Sequence, residues 1–511
     1  MPLEAYRKTP KEDLYEFLNG VENRYNFNSS KEKSGFLNAL LTDLAKQEWD
    51  EKLQVQALSV IRTLSRNPIG SDPIYTKEAV ISLSKLAGIQ STPMDTPVSR
   101  EALKVIANSI YLNDECKIHL EQEGVIDGCL RLIKQDPLSL EAQFLGCRIL
   151  FFMTISRPDL VHQLIQNDIA TPIEKILTRQ VDALEKQMDR EGPINPSTVM
   201  SEALKLLFNL LLVDARSEDQ QNACVVFKQC LVPIYRMLFD LPFPKPQPLI
   251  PPHSQCFHAM MQFPYDISVE VWRSQKDWIS QKYNTVEEGG RYVVNRFVDV
   301  LDQALHALLP SGDPDHGNVN HLQADAAVAP VLLVLANIIE ACPYVIPFLA
   351  TKMLPNQTDR SVPVNEGSSL SAYLIRLMTS TMMPQSRSAV CEVLFILCNK
   401  DAGQLVQQVG YGNAAGYLVN KGIAMDLPQG QADDDSQDIN PITGQYTASE
   451  SKGPDLSDMT DEEKEREAER LFVLFERLKK TGIIDVENPI AKAMRENQGR
   501  FEEVENDSDD D

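Results

Sequence analysis

The stretch Glu202-Ala-Leu-Lys-Leu-Leu-Phe-Asn-Leu-Leu211 decides the fold, because the chain repeats its frame. Glu101-Ala-Leu-Lys-Val-Ile-Ala-Asn-Ser-Ile110 carries the same Glu-Ala-Leu-Lys-x-x-x-Asn order. At 3.6 residues per turn, Leu204, Leu207, Phe208 and Leu211 share one helical face, while Glu202, Lys205 and Asn209 share another. Looser copies stand at Gln56–Thr63, Glu141–Arg148 and Pro330–Asn337. Aligned without gaps, the final position reads Thr63, Asn108, Arg148, Asn209 and Asn337, at spacings of 45, 40, 61 and 128 residues. The last spacing is wide enough to hide one or two degenerate copies. Helical period recurring every ~40–47 residues predicts an all-α armadillo/HEAT-type array, wound as a right-handed superhelix.

Such an array solves the problem of length. A chain of 511 residues exceeds what one core serves, and repeats bury each apolar stripe against the next. Helix, glycine turn and helix are read at Glu121–Ile133, with Gly124 at the turn. The same alternation returns at Gln166–Leu177, with Asp168 and Pro172. The pattern lapses between 240 and 290, where six prolines from Pro242 to Pro252 predict an extended inter-repeat loop. The array is expected to span 1–425 and to close at Gly410-Tyr-Gly-Asn-Ala-Ala-Gly416, where the glycines suggest close packing at a capping helix. No strand precedes them and no Lys-Ser/Thr follows, which argues against a phosphate loop.

An acidic extension follows. Residues 426–511 hold 25 Asp and Glu against 10 Lys and Arg, so 15 of the chain's 24 net negative charges sit there. Residues 426–458 read as a disordered linker and 482–511 as an acidic tail. Between them, 459–481 reads as one amphipathic helix. Thr460 and Glu463 form a capping box, Leu471, Leu474, Phe475 and Leu478 a stripe, and Gly482 a stop.

Several function classes are excluded on chemistry. An acidic chain lacks the basic footprint that nucleic acid requires. No uninterrupted apolar run reaches the ~18 residues of a membrane span, and the start carries neither an apolar signal core nor a lipidation signal. A cytoplasmic monomer is expected. Nine cysteines, with no Cys-x-x-Cys, read as buried reduced thiols. His253, Cys256 and His258 stand close together by chance. No metal site, cofactor or covalent catalysis is expected, so the chain does not read as an enzyme.

The repeated polar column points instead to peptide recognition. Asn offers a backbone both arms of its amide, and Lys or Arg meets a carboxylate. Lys104, Asn108, Arg148, Lys205 and Asn209, joined by Arg62 and Arg66, suit an elongated or helical peptide with a negative end. Importin-α-type arrays place Trp one turn before each Asn. Here those positions are Lys104 and Lys205, which disfavours a receptor for basic signals.

Seven stretches resemble one family: Val60–Arg66, Ala102–Asn108, Ala203–Asn209, Ala329–Leu332, Leu394–Cys398, Gly410–Gly416, and Ile439-Asn-Pro-Ile-Thr-Gly444 running on to Met459–Glu463. From about residue 33 to 481 the chain resembles synembryn, the resistance-to-inhibitors-of-cholinesterase family of Gα chaperones and exchange factors. The Pro-rich segment and the extreme termini depart from it. The resemblance implies that GDP-loaded or new Gα is bound by its C-terminal helix in a concave groove and kept nucleotide-free until GTP enters. It carries the tail-binding role onto Arg62, Arg66, Asn108, Arg148 and Asn209, and gives helix 459–481 a contact with the Gα nucleotide domain. It also implies an acidophilic kinase acting on the linker, for which Ser436, Thr447 and Ser449 are candidates, beside Ser508 of the tail, which fits the acidophilic pattern best, and recruitment to the cell cortex or plasma membrane through Gα. The rival reading is an armadillo-type scaffold that binds peptides without exchange activity.

Overall fold

The repeated frames all become helices of one stacked row in a computed structural model of the chain. It describes residues 2–24, 27–90, 95–187, 192–218, 222–274, 285–423, 439–440, 443–447 and 460. The chain divides into two units, residues 1–350 with 380–397, and residues 351–379 with 398–511.

In the first unit the row runs α1 (Leu14–Arg24), α2 (Glu51–Ser65), α3 (Pro97–Leu112), α4 (Leu140–Thr154), α5 (Pro196–Ala215), α6 (His253–Met260), α7 (His321–Ala341) and α8 (Pro384–Leu397). Each packs on the next. One outer helix backs each member from α2 to α7: Ser30–Ala45, Lys77–Leu86, Val125–Ile133, Ala170–Glu185, Leu231–Phe239 and Val286–Leu308. Short helices such as Asp114–Gln122 and Pro158–Gln166 complete a three-helix, armadillo-type repeat.

Local chemistry explains where the row helices start. Thr96 accepts from the Ser99 N–H and Ser99 answers the Thr96 N–H, with Pro97 at the first turn. Asn195, Thr198 and Pro196 repeat that arrangement at α5. Caps of this kind satisfy N–H groups that have no partner within the helix. Gly124 (φ 77°) makes the sharp entry to Val125–Ile133, and Asp168 (φ 54°) precedes Ala170–Glu185.

Two expectations need correction. The apolar face of α5 is wider than Leu204, Leu207, Phe208 and Leu211. Leu206 and Leu210 are also fully buried, while Phe208 is only half-buried and meets His258 edge-on at 6.0 Å. Neighbours on three sides (α4, α6 and the outer helix) account for this. The Pro-rich lapse is not one long loop either. Within it, α6 supplies a rung between α5 and α7, and so fills the 128-residue spacing.

The long apolar helix α7 has the length and composition of a membrane span, yet 72% of its most apolar window is buried inside the protein. It lies between α6 and α8, and its Asp325 carboxylate accepts from the N–H groups of Gln385 (3.1 Å) and Ser386 (2.6 Å) in the first turn of α8.

His253, at the start of α6, is 4% exposed and packs its ring 5.0 Å from Phe243. Burial, aided by the Arg296 charge, pushes its pKa down from 6.5 to about 4. The unfolded chain therefore takes up a proton as pH falls through about 6.5, while the folded chain resists until about 4. Stability is unaffected above that window and declines within it. We expect urea unfolding to show a loss of about 2 kcal/mol from pH 7 to pH 5 that His253→Leu removes. An equal acid response in the variant would rule this histidine out as the cause.

In the second unit, Leu370–Met378 packs on Tyr411–Asn420, and Gly410 (φ 81°) joins Ala402–Val409 to Tyr411–Asn420. A side chain at Gly416 would meet nothing within 4 Å, so close packing does not explain that glycine. Part of the stretch read as linker is built: Asn440 N–H donates to Gln445 O (2.8 Å), Gly444 N–H to Asn440 O (2.8 Å), and Ile439 pairs with Tyr446 as an isolated bridge. The helix expected at 459–481 and the tail beyond it lie outside the described residues, apart from an exposed Thr460.

Candidate functional site

Row helices α2, α3 and α4 turn successive polar faces toward one open groove of about 610 Å³. Arg62 and Arg66 come from α2 and its C-cap, Lys104, Asn108 and Tyr111 from α3, Glu141, Phe144 and Arg148 from α4, and Pro193 and Ile194 from the approach to α5. Five of the seven residues singled out from the sequence therefore share one site. They do so because the frame returns at the same angle on helices stacked side by side.

The cations differ in how much charge they have left to offer. The frame's own glutamates answer several of them. Lys104 Nζ lies 2.5 Å from both Glu101 and Glu141. Arg62 Nε lies 3.2 Å from Glu101, with Glu22 4.0 Å from its Nη2. Glu202, 5% exposed, holds Lys205 at 2.8 Å and Arg148 at a looser 3.8 Å. Arg66 is exposed and has no ion pair among the described residues. Asn108 is half-buried with no side-chain hydrogen bond there. Arg66, Asn108 and Arg148 are thus the lining groups with the most hydrogen-bonding capacity left unused by the described residues.

Asn209 does not belong with them. It is 7% exposed and donates through Nδ2 to Thr154 Oγ1 at 2.8 Å, in the seam between α4 and α5. An amide there satisfies a buried hydroxyl, so its role is packing. Lys205 stands half-exposed beside Glu202 and is not among the residues lining the groove. Leu471, Leu474, Phe475, Leu478, Ser436, Ser449 and Ser508 lie outside the described residues, while Thr447 is exposed at the end of the 439–446 turn.

The family is decided by the extent of sequence agreement. A model of the family described as guanine nucleotide exchange factor synembryn (Ric8) matches residues 57–498, from α2 to beyond the second unit's helices. The chain belongs to the synembryn family. Among its relatives, Chaperone Ric-8A of Gallus gallus is 26% identical over 483 residues, covering 87% of this chain and 85% of that protein. Chaperone Ric-8A of Xenopus laevis is 26% identical over 494 residues, with 89% and 86% covered. The Rattus norvegicus protein of the same name is 25% identical over 481 residues, with 87% and 84% covered. A crystal structure of Uso1-1 overlays with a TM-score of 0.44 at 14% identity, covering 82% of this chain and 64% of that one.

In this synembryn-family chain the groove also has an apolar side that the polar frame did not announce. Tyr111 is 75% exposed, its ring 6.0 Å from Phe152, and the Arg148 guanidinium lies 5.3 Å from the Phe144 ring and 5.6 Å from Phe152. Such stacking holds a guanidinium in place while leaving its edges to donate. Tyr111 sits seven residues after Lys104 and three after Asn108, so helical spacing alone carried that signal. None of the nine cysteines forms a disulfide, and burial pushes the thiols of Cys129 and Cys391 up to about 12, which keeps them protonated.

Proposed function

We propose that this chain is a chaperone and guanine-nucleotide exchange factor for heterotrimeric G-protein α subunits, taking the Gα C-terminal helix into the groove of α2, α3 and α4. The observation that carries this reading is the juxtaposition of Arg66, Asn108 and Arg148 with the Tyr111–Phe152 ledge. A helix ending in a carboxylate would place its charge on the arginines and an apolar side chain on the ledge. Family membership supports exchange and chaperone activity, and the groove supports a peptide ligand.

The mechanism is linkage. A protein that binds nucleotide-free Gα better than nucleotide-bound Gα loosens the nucleotide by the same factor. Drawing the tail helix out of Gα removes a support of the guanine pocket, and GTP binding then releases the complex. The amphipathic segment 459–481 would act as a second arm through Leu471, Leu474, Phe475 and Leu478. The protein would work in the cytoplasm as a monomer and reach the membrane through Gα. An acidophilic kinase acting at Ser436, Thr447, Ser449 or Ser508 would add charge near this arm.

Release of a fluorescent nucleotide from purified Gα tests the proposal. A scaffold without exchange activity would leave the release rate unchanged. Truncation after residue 458 is expected to preserve the affinity for a Gα tail peptide and slow release at least tenfold; equal release would remove the arm from the mechanism. Cutting at 425 confounds this test, because it also removes the turn at 439–446.

A further inference from the structure

Arg360 is 5% exposed and has no ion pair among the described residues. All its acceptors are neutral. Nη1 donates to Gly444 O at 2.6 Å and Gln407 O at 3.3 Å, and Nη2 to the Gln408 side-chain Oε1 at 2.7 Å. Two features make an unpaired guanidinium tolerable there. Gln407 and Gln408 lie in the last turn of Ala402–Val409, where carbonyls lack intrahelical partners and carry the negative end of the helix dipole. Gly444 O, from 84 residues along the chain, completes the coordination.

The turn is held from both sides. Tyr446 N–H donates to Arg360 O (3.0 Å) and Gln445 Nε2 to Ser361 O (3.2 Å). Gly444 sits at φ 72°, and a Cβ there would come within 3.0 Å of Val364 and 3.2 Å of the Gly410 nitrogen. Only glycine fits that backbone without strain.

We infer that Arg360 and the C-terminal turn of Ala402–Val409 form an internal docking site for the 439–446 turn, and that this site roots the C-terminal arm. The second half of this statement rests on the proposed role of 459–481. Counted along the sequence, the amphipathic segment beginning at Thr460 lies 13 residues beyond Thr447, where the dock would root it, and 37 residues beyond Ile423, the anchor that remains without the dock. Fully extended, those tethers reach roughly 45 and 125 Å. Effective concentration falls as about the −3/2 power of tether length, so undocking dilutes the arm about fivefold at its target.

The test uses the full chain with Arg360→Met and, separately, Gly444→Ala, which leaves the Arg360 guanidinium in place and crowds the turn against Val364 and Gly410. Three quantities are read: hydrogen exchange at the Gly444 and Tyr446 amides, affinity for a synthetic Gα C-terminal peptide, and release of a fluorescent GDP analogue from Gα. Both variants are expected to lose tenfold or more in protection, keep peptide affinity within twofold, and release nucleotide about fivefold more slowly. Unchanged protection in both would overturn the docking site. Lost protection with wild-type release would overturn the rooting. Should the wild-type chain release no nucleotide, the Gα reading fails and the rooting falls with it, while the exchange data still decide the dock.

Discussion

Replacing Arg66 and Arg148 together with alanine is expected to weaken binding of a Gα tail peptide by about 2–4 kcal/mol, some 30- to 1000-fold, with little change in unfolding midpoint. Arg66 is exposed without an ion pair among the described residues, and Arg148 is held loosely, 3.8 Å from Glu202 and against two rings. Neither supports the core, so the loss falls on the ligand. Raising salt should narrow the gap between wild type and variant, because exposed charges are screened. Asn209→Ala should behave oppositely, with stability lowered and peptide affinity kept. Isothermal titration with the peptide decides both. If the double variant binds as wild type does, the groove is not where the tail sits.

Leu207→Ala is expected to cost about 2–5 kcal/mol of stability, since a fully buried leucine leaves a cavity where α5 meets its neighbours. Repeats touch only their neighbours, so the loss should first appear as faster hydrogen exchange in α4, α5 and Ala170–Glu185 rather than uniformly. Urea unfolding and exchange mass spectrometry measure it. A change below about 1 kcal/mol would contradict the packing at that position.

The row of helices was legible because one heptad-scale frame fixes both what α5 buries and what it turns outward. The charge state of the groove was not. Whether Lys104 is available depends on Glu141, on the next helix, standing 2.5 Å away, and no spacing within one helix reports that. Asn108 and Asn209 occupy the same position of the frame, yet one faces the groove and the other meets Thr154, because the last residue of α4 places a hydroxyl 2.8 Å from the Asn209 amide. The 439–446 turn was missed for a similar reason. Its polar, proline-containing composition reads as solvated chain, and its partner is an arginine 84 residues upstream.

The apolar helix α7 is covered in large part by a segment made later in synthesis. Until Pro384–Leu397 is made, α7 carries a stretch with the length and composition of a bilayer anchor, relieved by Asp325 near its start and Asn337 and Glu340 near its end. Any shortened product ending before residue 384 would keep the cover that α6 and Val286–Leu308 give α7 but leave its α8-facing side bare.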